Sequence, residues 1–406
     1  MNKVRVVQLL AVCAAVPVLL LGCSNSPSAP ATIVAAPPGP TDLGPASGLS
    51  TPPADAIVFD LKYRPQTGAA DDIPYRSYWG YGGSEEETKT NSFLQEVRTK
   101  ASRLHYVNNF SFTGRKWAAV EYQGQQASAL YFDLNADGKL GENERIPPTL
   151  KTDQGFAFIT PDFMHSPEDG SPTLCRVLLQ VNFYKGSSQP NCMWSPAVLL
   201  EGTATVEGRP VRLLLYTSSP GGRFDKYGSS SYSLLMDGQT RIAAGQYVPR
   251  EMLSTLIGSE GLFYHLTIEG QRSNGLPARA LLVKDTSPTG ELTAKLVCSN
   301  SLQTRLTSLY LHGVEDKTVF LRCDSLKAKV TLPVGTYALA NGVVSYGVAN
   351  PQDWEVSFTQ GPRATIKAGE VCELALGQPT LKVRAIEEKD RYNSQATESA
   401  TFKQGT

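Results

Sequence analysis

One short stretch of the sequence carries oxygen-bearing side chains at a spacing that suits a metal ion. Asp133, Asn135 and Asp137 alternate along the chain, Gly138 follows them, and Glu144 closes the stretch. Carboxylate and amide oxygens are the hard ligands that Ca²⁺ prefers, and glycine permits the sharp turn that folds alternating side chains around one ion. From average residue usage, these five positions coincide by chance in about one chain in a thousand of this length. The stretch therefore predicts a calcium site.

Residues 133–144 resemble the twelve-residue calcium loop of EF-hand proteins. The resemblance implies that Lys139 contributes its backbone carbonyl and that Glu144 contributes both carboxylate oxygens. The flanks depart from that family, because residues 129–132 alternate as a β-strand does and Pro147-Pro148 stop any long exit helix. We expect a calcium loop set in a β scaffold, with a dissociation constant of about 0.1 to 1 mM, which suits a stabilising site. An Asx-rich turn without an ion is the alternative.

The N-terminal residues have the parts of an export signal. A basic start precedes an apolar run from Val6 to Leu21, which is too short and wrongly flanked for a typical membrane-spanning helix. The run ends in Leu20-Leu21-Gly22-Cys23, which resembles the lipobox of bacterial lipoproteins. That resemblance implies cleavage after residue 22, lipidation of Cys23 and, because Ser24 rather than an aspartate follows, anchoring to the outer membrane. An ordinary signal peptide followed by a chance cysteine is the alternative.

The charge balance restricts the classes of partner. Lys plus Arg and Asp plus Glu both number 38, which argues against a nucleic-acid-binding protein and against a polybasic membrane surface. Removal of the predicted signal leaves 36 basic against 38 acidic residues, a net charge of −2 with neutral histidines. Acyl chains alone would then hold the body at a bilayer. No second long apolar segment follows, so we expect the body to lie outside the membrane.

Period-two alternation between Gly, Pro and Asn turns predicts a mainly β protein. It recurs along the body, for example in residues 118–122, 128–133, 176–184, 211–216, 262–269 and 319–332. One or two short helices are also predicted. The first follows a capping box at Ser84 to Glu87 and runs through Val97, and the second begins at Pro249 and carries residues through Leu256.

The domain prediction follows changes in composition along the chain. It comprises a signal peptide (1–22), the lipidated cysteine with a Pro/Ala/Ser-rich linker (23–55), a β-rich domain with the calcium loop (56–195), a second β-rich domain (196–300), a β-sandwich module (301–385) and a polar tail (386–406).

Two resemblances refine this division. Residues 121–132 lie over residues 205–216 without a gap, and each segment is predicted to form a strand, a turn centred on Gly124 or Gly208, and a second strand. A degenerate repeat and two convergent hairpins explain this likeness equally well. The turns at residues 332–337 and 367–370 resemble those of small Ig-like or transthyretin-like sandwiches, which bears on fold and not on function.

Further candidate residues each have a plainer explanation. Tyr78 and Trp79 lie in an aromatic, glycine-rich stretch that could stack on a sugar or hold a peptide, and equally could pack in a core. Cys175 and Cys192 could form a disulfide in an exported protein. Three scattered acids could converge as a glycosidase pair, although surface turns are the favoured explanation; they are Asp162, Asp225 and Asp237.

These features together predict a lipid-anchored cell-envelope protein with several β domains and one structural calcium site. We expect a binding or scaffold module for an envelope protein or glycan, and no nucleic-acid partner. The alternative is a calcium-dependent hydrolase acting on envelope glycans or polymers. The nucleophile-elbow, P-loop and dinucleotide motifs are all absent from the sequence, which does not exclude an enzyme but gives no ground for asserting one. We therefore predict no catalytic residue, and the binding or scaffold role is preferred over the enzyme.

Overall fold

The structure of the protein is a computed structural model. It describes residues 45–66, 78–80, 96–97, 103–108, 117–124, 126–152, 155–166, 172–182, 191–217, 223–236, 250–259, 262–296, 304–324, 329–346, 354–359 and 361–376. The predicted signal peptide, Cys23 and the polar tail lie outside these ranges. Within them, no helix has both the length and the apolar character needed to cross a membrane.

Strands dominate the described residues, which confirms the predicted mainly β class. In chain order they are β1 Ala46–Ser47, β2 Ile57–Asp60, β3 Lys62–Pro65, β4 Tyr78–Gly80, β5 Arg103–Asn108, β6 Trp117–Gln123, β7 Gln126–Phe132, β8 Arg145–Ile146, β9 Leu150–Thr152, β10 Gly155–Ile159, β11 Phe163–His165, β12 Thr173–Cys175, β13 Val177–Asn182, β14 Asn191–Pro196, β15 Val198–Val206, β16 Arg209–Tyr216, β17 Ser231–Met236, β18 Glu251–Met252, β19 Leu256–Ser259, β20 Leu262–Arg272, β21 Pro277–Lys284, β22 Thr289–Leu296, β23 Thr304–Gly313, β24 Phe320–Asp324, β25 Val330–Pro333, β26 Gly335–Tyr346, β27 Trp354–Thr359, β28 Arg363–Ile366 and β29 Val371–Leu376.

Helical structure in the described residues is limited to two short pieces. Glu96–Val97 is the described part of the first predicted helix, and Glu142–Glu144 forms one 3₁₀ turn. The second predicted helix is wrong, because residues 251–252 and 256–259 form β18 and β19. Pairing of these residues with β17 and β20 outweighs the weak local helix signal, as tertiary context often does.

In the described residues, the three largest hydrophobic cores each lie mainly between two sheets. The first core joins the sheet β5-β6-β7-β8 to the sheet β4-β14-β13-β10-β9, and residues of the two-stranded sheet β11-β12 also pack in it. The second joins β1-β20-β21-β2, with β19 beside β20, to β18-β17-β16-β15-β3. The third joins β25-β22-β29 to β24-β23-β26-β27, with β28 beside β26. Alternation along each strand sends one set of side chains into its core, which is why the sequence shows period two.

Aromatic packing in the first core shows how it is filled. Phe132 at the end of β7 lies 5.2 Å from the ring of Phe163 and 5.5 Å from that of Trp194, in tilted arrangements. Such tilted aromatic pairs stabilise a core beyond the area that they bury. The buried Phe132 thereby fixes the strand that leads directly into the predicted calcium loop.

The N-terminal strands belong to the second core. β2 pairs with β21 and β3 pairs with β15, across separations of more than a hundred residues. β1 lies within the predicted linker and pairs with β20, where Ser50 Oγ also donates a hydrogen bond to Glu269 at 2.6 Å. The described N-terminal residues 45–66 are therefore paired with strands from later in the chain.

Two local predictions have clear outcomes. Both predicted hairpins are present, β6-β7 and β15-β16, and their turns place Gly124 and Gly208 at φ +65° and +80°. Glycine adopts this left-handed conformation without a steric cost. The Cys175–Cys192 disulfide is wrong, since Cys192 is a free thiol within the first core. Burial raises the pKa of that thiol to about 12, so it behaves as a small apolar side chain.

Candidate metal centre

The predicted calcium loop connects two paired strands. β7 enters it and β8 leaves it, with Leu130 opposite Ile146 and Tyr131 opposite Arg145. The 3₁₀ turn Glu142–Glu144 stands where an EF-hand has its exit helix. This confirms the expected β scaffold around the loop. It also means that the first and last predicted ligands are held near each other by strand pairing rather than by two helices.

Asx-type hydrogen bonds organise the first half of the loop. Asp133 Oδ2 accepts from the amide of Gly138 at 3.2 Å, and Asn135 Oδ1 accepts from that of Asp137 at 3.0 Å. Asp137 Oδ1 accepts from the amide of Lys139 at 2.8 Å, and Gly138 has φ +77°. These bonds hold the chain in successive tight turns, which a glycine at the sixth loop position allows.

The last predicted ligand is gathered into the loop by backbone amides. Glu144 Oε1 accepts from the amides of Leu134 at 2.8 Å and Asn135 at 3.4 Å, and Oε2 accepts from that of Gly141 at 3.2 Å. Each carboxylate oxygen has two lone pairs, so accepting amide hydrogens leaves it able to bind a cation as well. Glu144 thus spans both ends of the loop.

Two carboxylates of the loop are buried side by side. Asp133 is 0% exposed and Glu144 is 3% exposed. Burial raises the pKa of Glu144 and the nearby charge of Asp133 raises it further, while amides of residues 134, 135 and 141 lower it. Two like charges in one buried place oppose each other unless a proton or a cation compensates them. A divalent ion would supply that compensation.

The remaining predicted ligands are exposed. Asn135, Asp137 and Lys139 lie at the surface of the loop, and Asn135 Nδ2 donates to Asp137 Oδ2 at 3.1 Å. No cluster of three or more His, Cys, Asp or Glu side chains suited to a metal occurs in the described part of the chain. A metal in this loop would therefore also use the Asn135 amide and a backbone carbonyl. That mixed oxygen set fits Ca²⁺ and not Zn²⁺.

The corresponding part of the second hairpin shows a different arrangement. Thr217 takes the place of Asp133 and is buried, while Ser219 and Gly221 lie outside the described residues. Arg223 binds Asp225 there through two hydrogen bonds of 2.8 and 2.6 Å. The described part of this loop, from residue 223 onward, therefore contains an ion pair.

The other predicted site residues lie apart from the loop. Tyr78 and Trp79 belong to β4, which pairs with β14 opposite Trp194 and Met193. Their backbone is thus part of the sheet β4-β14-β13-β10-β9. Cys23 and Asp237 lie outside the described residues.

A buried polar cluster was not anticipated from the sequence. Arg176 Nε donates to Asp162 Oδ1 at 2.7 Å, and the Tyr63 hydroxyl donates to the same oxygen. Arg176 Nη1 also reaches the backbone carbonyl of Gln66 at 3.5 Å. Asp162 is therefore bound by a cation and a hydroxyl, and Asp225 by Arg223, which are the arrangements of structural ion pairs.

Comparison with known proteins adds little. No family model matches the chain, and no curated protein matches it. Among solved structures, a leucine-rich repeat protein from Bacteroides thetaiotaomicron is similar over 57% of this chain, with 14% identity and a TM-score of 0.20. The similar region is 25% of that protein's length, and the low TM-score gives it no bearing on fold or function.

Proposed function

We propose that the protein is a lipid-anchored cell-envelope module whose β scaffold is stabilised by Ca²⁺ in the loop 133–144. The observation that carries the calcium proposal is the pair of buried carboxylates, Asp133 and Glu144, at the first and last positions of the loop. Strand pairing holds both ends, and backbone amides already orient Glu144. A cation there offsets the repulsion between the two carboxylates and ties β7 to β8.

Calcium titration with calorimetry tests this proposal. The full chain in detergent should bind one Ca²⁺ with a dissociation constant of about 0.1 to 1 mM. Glu144→Gln should weaken binding by at least about tenfold, because it removes a bidentate carboxylate and keeps its shape. Glu142→Gln is the matched control, since this exposed glutamate shares the same 3₁₀ turn and is not a predicted ligand. Equal binding by both variants would reject Glu144 as a ligand.

The proposed anchor rests on the lipobox-like end of the signal sequence. Cys23 would carry the lipid, and the linker that follows would join it to the body. The first described contact of the chain with the body is the pairing of β1 with β20. Membrane fractionation with Cys23→Ser tests the proposal. The wild-type protein should sediment with outer membranes and the variant should be released. A variant that still sediments with membranes would show that something other than this lipid holds the protein.

We assign the protein a binding or scaffold role, with an envelope protein or glycan as the partner. Three cores that each lie between two sheets offer loops and strand edges for such contacts. The proposal of an Ig-like or transthyretin-like module rests on the turns at residues 332–337 and 367–370, and the hydrophobic cluster shared by the two sheets of the third core supports it. Glycan-array binding by the full chain, with and without calcium, would identify the class of partner. Release of reducing sugar ends would instead support the hydrolase alternative.

A further inference from the structure

The sheet that carries the calcium loop has a second apolar face. One face of β6 and β7 enters the first core, and the opposite face holds what we call the outer cluster: Val97, Ala119, Ala129, Tyr131 and Leu140, each at most 8% exposed, with half-buried Leu104 of β5 against them. The cluster joins Val97, one of two described helical residues, to both central strands of the sheet. It also includes a residue of the calcium loop itself.

Leu140 links the loop to the outer cluster. It is 3% exposed although most of its neighbours in residues 135–143 are at the surface. It lies between Lys139, whose carbonyl is a predicted ligand, and Gly141, whose amide binds Glu144 at 3.2 Å. Leu140 is covalently joined to both residues. Any opening of the loop that moves Lys139 or Gly141 therefore also displaces Leu140 from the outer cluster.

A polar contact on the same face provides a second link. Arg145 follows Glu144 directly, and its guanidinium lies 3.5 Å from the carboxylate of Glu121 in β6. The Tyr131 hydroxyl donates to the same carboxylate at 3.2 Å. Glu121 is 8% exposed, so these partners compensate a largely buried charge. Movement of the Glu144 backbone would disturb this contact as well.

We propose that calcium occupancy of the loop controls how tightly the outer cluster packs on the sheet, through Leu140 and Arg145. The inference rests on the proposed calcium site and adds a consequence to it. Without the ion, the two buried carboxylates favour an open loop, and Leu140 leaves the cluster with it. With the ion, Leu140 stays buried and holds Val97 against β6 and β7. Calcium therefore alters the packing on the outer face of the sheet, in addition to stabilising the protein.

Hydrogen exchange measured by mass spectrometry tests this coupling on the full chain in detergent, in chelator and in Ca²⁺ at ten times its dissociation constant. That excess lowers the population of the open loop about elevenfold. Exchange in residues 133–146 should slow by up to about that factor, and peptides containing Val97 and Leu104 should slow with it. Glu144→Gln should lose both effects, and Glu142→Gln should keep both.

Leu140→Ala separates the coupling from the binding. This variant keeps every predicted ligand, so calcium should still protect the loop while the response at Val97 falls to less than about twofold. Leu140→Met, which nearly preserves side-chain volume, should retain the full response. Protection confined to residues 133–146 in the wild-type protein would overturn the inference and leave the calcium site standing. No calcium response anywhere would overturn both.

Discussion

The ion pair between Asp162 and Arg176 makes a quantitative prediction about how two of the three cores are joined. Asp162 lies between β10 and β11 and Arg176 lies between β12 and β13, so both lie in connections between strands that contribute to the first core. Their partner Tyr63 belongs to the second core. The Arg176 side chain is 7% exposed and that of Asp162 is 20% exposed. Burial, and then the charge of Asp162, raise the pKa of Tyr63, so its hydroxyl stays protonated and donates.

The perturbation is Asp162→Ala, which leaves the buried guanidinium of Arg176 without its carboxylate. Removing one partner of a fully buried pair costs about 3–5 kcal/mol, and the partial exposure of Asp162 places our expectation near 3 kcal/mol. The matched control is Asp225→Ala. Its pair with Arg223 has side-chain exposures of 29% and 33%, so its removal should cost less than about 1 kcal/mol.

Urea unfolding of each variant at pH 7, followed by tryptophan fluorescence, measures these free energies. Adding Arg176→Met to Asp162→Ala should recover part of the loss, because most of it comes from an uncompensated buried charge. Equal costs for Asp162→Ala and Asp225→Ala would refute the reasoning. A double variant whose losses simply add would refute it as well.

Three further predictions concern other parts of the fold. Gly155→Ala should lower the free energy of unfolding in urea by several kcal/mol, because the new Cβ would overlap the carbonyl oxygen of Val181 in β13. Gly124→Ala is the control: its new Cβ meets only open space, so the loss should be about 1 kcal/mol, caused by the positive φ. Ser254→Ala should lower the free energy of unfolding by about 1–3 kcal/mol in the same assay, because the Ser254 hydroxyl accepts a hydrogen bond of 2.9 Å from the amide of Phe320 at the start of β24. No loss would mean that water replaces the hydroxyl as the partner of that amide. Hydrogen bonds from the side chain and the backbone amide of Thr318 lower the pKa of Asp316. The carboxylate therefore stabilises the fold at pH values above its pKa in the unfolded chain, and this stabilisation is lost as the pH falls through its pKa in the folded protein. The difference in melting temperature between wild type and Asp316→Asn should accordingly shrink between pH 5 and pH 2.5, roughly the range over which aspartates titrate, and a constant difference would contradict this.

Local features of the sequence predicted what short-range physics decides. Alternation predicted the strands because successive side chains of an extended chain point to opposite faces. Gly124 and Gly208 predicted two hairpin turns because glycine readily adopts positive φ. The oxygens of the predicted calcium loop were recognisable as a candidate ligand set because all of them come from twelve consecutive residues.

The tertiary structure decided everything that depends on contacts between distant residues. β2 and β3 lie early in the chain, yet they pair with β21 and β15, which no local pattern indicates. Residues 251–259 form strands because neighbouring strands offer backbone hydrogen bonds that a weak helix signal cannot match. The cluster of Tyr63, Asp162 and Arg176 was hidden for the same reason. A buried charge is recognisable only once the fold removes water from it and supplies its partner.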